Sequence, residues 1–138
     1  MKKSYNFNLT VLILIIFSFL FVNSALSEET AALEVTDAAV CVNVVDRQCV
    51  DANTNFSAGV GKLYCLTRIN GAKGPSQVTH VWYFGQTERA RITLNVHSAN
   101  WRTYSSKIIQ AHEIGDWHID VLGSEGEFLE IIQFEVVP

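Results

Sequence analysis

The chain has 138 residues, with 14 acidic side chains against 10 basic ones and a net charge of −4. That length supports one small domain around one core, not two. The acidic balance argues against non-specific attachment to nucleic acid or to anionic membrane surfaces.

In chain order, the first feature is a leader. Lys2 and Lys3 give a positive start, the run LTVLILIIFSFLFV spans residues 9–22, and the small residues Ala25 and Ser27 follow. This is the pattern of a secretory signal peptide over residues 1–27, cut after Ser27 with Ala25 as the next choice. The competing reading is a retained anchor, but fourteen apolar residues fall short of the roughly 20 that span a bilayer as a helix. No cysteine directly follows the run, so a lipid anchor is not supported. The expected destination is the periplasm or the exterior, with no membrane span after cleavage. The mature chain, 28–138, keeps all fourteen acidic residues and eight basic ones, which leaves −6.

Residues 28–36 read as a flexible start and 37–138 as the folded domain. ALEVTDAAVCVNV (32–44) holds one or two strands, and DANTNFSAGVG (51–61) is a loop rich in Asn, Gly and Ser. KLYCLTRI (62–69) is strand-like. NGAKGPS (70–76) is a strong turn signal, and QVTHVWYF (77–84) follows it. In RARITLNVH (89–97), Ala90, Ile92, Leu94 and Val96 alternate with polar residues, which predicts one buried and one solvated face. WRTYSSKII (101–109) is less regular. DWHIDVL (116–122) alternates with Trp117, Ile119 and Val121 inward. GSEG (123–126) predicts a hairpin turn into EFLEIIQFEVV (127–137). There, Leu129 and Phe134 are an odd number apart, so a bulge or a change of face is needed to bury both. With no helical periodicity, about seven strands at short spacing predict a single all-β, antiparallel sandwich of immunoglobulin-like type.

Export makes one disulfide plausible among Cys41, Cys49 and Cys65. Cys41 and Cys65 lie in strand-like runs and are the candidate pair across a sandwich. Cys41 and Cys49 flank CVNVVDRQC and would close a local loop, and buried free thiols are the third alternative.

Two stretches carry the candidate binding residues. In VTHVWYF (78–84), His80 and Trp82 share a strand face with Val78 and Phe84. They suit a pocket floored by an indole, or equally a core tryptophan beside a hydrogen-bonded histidine. In WRTYSSK (101–107), Trp101, Thr103, Ser105 and Lys107 alternate with Arg102, Tyr104 and Ser106. On an edge strand, Trp101 and Tyr104 suit a sugar or a partner's side chains, and Arg102 suits a carboxylate or phosphate. The plain alternative is a core tryptophan with basic residues that solubilise an edge. His97, His112 and His118 are scattered, there is no CxxC or HxxxH, and neither a metal nor a cofactor is expected. No GxSxG, Gly-rich phosphate loop or HExxH is present, so no enzyme activity is expected. Asn55-Phe56-Ser57 is a glycosylation sequon that would matter only in a eukaryotic source.

Several stretches carry a resemblance: VVDRQ (44–48), the strand around Tyr64-Cys65, THVWYF (79–84), WRTYSSK (101–107) and GDWHIDVLGSEGEFLEIIQFEV (115–136). From about residue 37 to 137 the chain resembles a bacterial family of unknown function, numbered 2914. Cys49 falls where that family's pattern has a proline. The resemblance implies the immunoglobulin-like sandwich and carries no activity. The expected function is that of an exported, non-enzymatic module that binds an envelope protein or a glycan through Trp101, Arg102 and Tyr104. The alternative is a small-ligand or metal-binding periplasmic domain that uses His80, Trp82 and Arg102.

Overall fold

The computed structural model describes residues 33–138. The leader read over 1–27 and most of the flexible start lie outside the described residues. Ten strands follow in order: β1 (Glu34–Cys41), β2 (Asn43–Val45), β3 (Gln48–Val50), β4 (Asn55–Ser57), β5 (Lys62–Asn70), β6 (Ser76–Phe84), β7 (Thr87–Val96), β8 (Asn100–Ile108), β9 (Gly115–Leu122) and β10 (Phe128–Val137). The described residues contain no helix.

The strands form a three-stranded sheet, order β1-β5-β8, a five-stranded sheet, order β4-β10-β9-β6-β7, and the ribbon β2-β3. All pairings are antiparallel except that of β4 with β10. The period-2 patterns place the inner faces as expected. On β7, Ala90, Ile92, Leu94 and Val96 are sheltered while the residues between them are exposed. On β9, Trp117, Ile119 and Val121 are buried. The register of β10 shifts between Phe128 and Glu130, and this bulge lets Leu129 and Phe134 both join the core.

Both sheets feed the same core. One cluster joins Leu63 and Cys65 of β5 to Trp82, Trp117, Ile119, Phe134 and Val136 of the five-stranded sheet. Its rings contact one another: Trp117 stacks on Phe134 at 5.8 Å and Trp82 meets Phe134 edge-on at 6.1 Å. A second cluster joins Ile69 to Val78, Val96 and Val121, with Leu33, Val35 and Trp101 packed at its border. Each fully buried side chain of this size stabilises the fold by about 1.5–3 kcal/mol relative to exposure.

The strand count exceeds the seven or so expected, for two physical reasons. The ribbon β2-β3 turns through Asp46 and Arg47, both with positive φ (50° and 56°). Such a turn normally announces itself as Asn-Gly or Asp-Gly. Here Arg47 occupies the second position, so the signal is missing. β4 lies inside the stretch read as a loop. Its three residues pair in parallel with β10 and bury Phe56 in the core, an interaction too long-range for any local pattern. The ordered domain also begins before residue 37, because Leu33 and Val35 have apolar partners in the second cluster.

The disulfide is Cys41–Cys49, with Cα atoms 5.6 Å apart, and Cys65 is free and buried. This corrects the candidate Cys41–Cys65 pair. The two residues sit on neighbouring strands, but Val40 pairs with Cys65 and Cys41 pairs with Tyr64. One residue out of register, their side chains point to opposite faces of the sheet. Cys65 faces the core, where burial pushes its thiol pKa far up and keeps it protonated. Cys41 points to the other face of the sheet, where it is fully buried and anchors the ribbon.

Candidate functional site

His80 and Trp82 point inward from β6 and both are fully buried. The imidazole bridges the two sheets. Its Nδ1 lies 2.7 Å from Ser105 Oγ on β8 and its Nε2 lies 3.0 Å from Thr67 Oγ1 on β5. The Trp82 indole N–H donates to the same Ser105 oxygen at 3.0 Å. A neutral imidazole offers one donor and one acceptor, so two hydroxyl partners satisfy it in either tautomer. Burial lowers the His80 pKa from 6.5 to about 4, and the ring is neutral at neutral pH. The four side chains form a closed polar staple inside an apolar core. The hydroxyls of Thr67 and Ser105 supply the hydrogen-bond partners that a core histidine needs.

Arg102 lies apart from this group. Trp101, Thr103 and Ser105 alternate inward on β8, while Arg102 and Tyr104 project from the opposite face of the three-stranded sheet. His80, Trp82 and Arg102 therefore do not converge. The structure brings a different set together at the corner where β8, an edge strand, meets the tip of the β2-β3 ribbon. The Arg47 guanidinium lies 4.2 Å from the centroid of the Trp101 ring, a cation–π contact. His97, just after β7, meets that indole edge-on at 5.0 Å. Arg102 Nη1 reaches the Arg47 carbonyl at 3.5 Å, and Tyr104 is 45% exposed beside Tyr64. A cleft of about 230 Å³ opens between Arg47, His97, Trp101, Arg102 and Tyr104.

Sequence reasoning found Trp101, Arg102 and Tyr104 but not Arg47, Arg68 or His97 as members of the corner. Arg47 stood in VVDRQ without a strand to place it. Arg68 had a usable signal, since it is the one charged residue in the apolar run LYCLTRI. It is the register partner of Arg102.

A larger cleft, about 610 Å³, lies at the far end of the five-stranded sheet among Asn55, Gln86, Asp116, His118, Gln133 and Glu135. His118, in its lining, stacks on Tyr83 at 4.6 Å. Among the described residues, no group of three or more His, Cys, Asp or Glu is placed to hold a metal ion.

Set beside curated proteins, the chain finds no match. The match that exists runs from the start of β6 almost to the end of β10. It takes in both the His80–Trp82 strand and the Trp101–Lys107 strand, and leaves out the ribbon with its disulfide. Over these residues, 75–136, the chain matches the family described as Protein of unknown function (DUF2914).

Proposed function

We propose that the protein is an exported, non-enzymatic β-sandwich module of immunoglobulin-like type, which binds an envelope protein or a glycan through the corner of Trp101, Arg102 and Tyr104. The observation that carries this reading is the corner itself: an exposed tyrosine and a guanidinium on an edge strand, next to an indole braced by Arg47. Such rims of aromatic and arginine side chains are favoured in recognition surfaces. The core shared by two sheets supports the sandwich. The burial of His80 and Ser105, a pair at the distance of a base and a nucleophile, supports a non-enzymatic role. The leader supports export to the periplasm or exterior.

The test is a binding screen of the protein, purified after export, against isolated envelope proteins and cell-wall glycans. A partner should bind the native chain and be lost in Arg102→Ala and Tyr104→Ala, with melting temperature unchanged. Binding untouched by both substitutions would sink the reading.

A further inference from the structure

We infer that the corner's ligand is an extended acidic segment of a partner protein, whose carboxylates are held by Arg47, Arg68 and Arg102 while its backbone runs beside β8. The inference rests on the partner-binding reading above and names the chemistry of its ligand.

The argument begins with the arginines. The chain has five. The two on β7 are ion-paired, Arg89 with Glu113 at 2.9 Å and Arg91 with Glu88 at 2.7 Å. Among the described residues the other three, Arg47, Arg68 and Arg102, make no ion pair within 4.0 Å. All three gather at one end of the three-stranded sheet, in a chain whose overall charge is negative. Arg68 stands in register between Arg102 on β8 and Asp37 on β1, but Asp37 makes no ion pair with it within 4.0 Å, and the like charges of Arg68 and Arg102 in directly opposite positions destabilise a sheet. The Arg68 Nε is buried and has no hydrogen-bond partner. Buried polar atoms without partners are rare, and each calls for a cause. A carboxylate bound between the two strands would relieve the repulsion.

The position of Arg47 is built in. It occupies a left-handed backbone conformation at the tip of the ribbon, and the Cys41–Cys49 disulfide ties that ribbon to the end of β1. The disulfide therefore helps to hold Arg47 above Trp101 and beside Arg102. No carboxylate lines the cleft that results. Guanidinium forks match carboxylates by paired hydrogen bonds.

Two observations favour a peptide over an acidic glycan. Trp101 is the ring on which a pyranose would stack, but Arg47 covers its face and His97 meets it edge-on. In addition, β8 has no strand on its outer side within its sheet, so its open backbone groups can pair with an added strand. A peptide uses that edge and a sugar chain does not.

The experiment follows tryptophan emission as an octaglutamate peptide is added to the protein purified after export. Trp82 and Trp117 are buried in the core and Trp101 alone lies at the corner. The expected result is a saturable change that vanishes in Trp101→Phe and weakens as salt is raised. Affinity should fall about tenfold or more in Arg102→Gln and Arg68→Gln, the loss of a charge-assisted pair. Arg102→Lys, which keeps the charge without the fork, should fall between native and Gln. An octaglutamate affinity that is absent, or equal in the native and Gln proteins, overturns the inference. So does tighter binding of an oligogalacturonate than of the peptide, which would make the partner a glycan and leave the module reading standing. Failure of the module reading shows separately, as partner capture indifferent to both Arg102→Ala and Tyr104→Ala.

Discussion

Acid should unfold this protein partly through His80, and the effect can be sized from the structure. In the unfolded chain the imidazole titrates near its ordinary 6.5, whereas in the core burial lowers it to about 4. Between these values the unfolded chain binds a proton that the folded chain refuses, so stability falls as pH falls. Above about pH 6.5 both states are neutral and the stability is fully present. Each tenfold difference in proton affinity carries about 1.4 kcal/mol, so the loss approaches about 3 kcal/mol near pH 4, with about 2 kcal/mol gone by pH 5. Urea denaturation at pH 7.5, 6.5, 5.5 and 5.0, native against His80→Gln, isolates this part. The glutamine keeps an amide donor and acceptor for Thr67 and Ser105 but cannot charge, and the subtraction removes the carboxylates common to both proteins. The native protein should lose about 2 kcal/mol more than the variant between pH 7.5 and 5.0. Equal losses would refute the reasoning, as would His80 ring resonances that titrate near 6.5 in the folded native protein. The resonance measurement stands even where the variant folds poorly.

Other substitutions probe separate parts of the fold. Replacing Cys41 and Cys49 by serine opens a link across a sequence separation of 8, and should cost about 2–3 kcal/mol in chemical denaturation. The same change should alter Trp101 emission as Arg47 is released. Trp82→Ala removes one of the two core indoles and its bond to Ser105, and should cost about 3–5 kcal/mol. Tyr104→Ala, at an exposed site, should stay within about 0.5 kcal/mol. Arg89→Gln leaves the buried Glu113 carboxylate without its cation. Since Arg89 is itself about one-third exposed, the cost should be about 2 kcal/mol, between surface and buried pairs, and adding Glu113→Gln should recover part of it.

Features that depend on near neighbours were legible along the chain. A period of two along 89–97 and 116–122 named the inner faces of β7 and β9, because alternate side chains on a strand must point opposite ways. Turn residues at 70–76 and 123–126 bounded the strands, and the odd spacing of Leu129 and Phe134 announced the bulge in β10. The aromatic and basic character of 101–104 was legible for the same reason: these residues adjoin in the chain. Tertiary structure alone decided what depends on register and on distant partners. Cys41 and Cys65 both looked like core strand residues, and only the offset of β1 against β5 put them on opposite faces and gave Cys41 to Cys49. His80 read as well for a pocket as for a core. The matter was decided by Thr67 and Ser105, 13 and 25 residues away, whose hydroxyls meet the imidazole inside the core. Arg47, Arg68 and Arg102 are spread over 55 residues and share no local pattern. A disulfide-anchored ribbon and an antiparallel register draw them to one edge, and neither can be read from a sequence in which side-chain direction reverses at every residue.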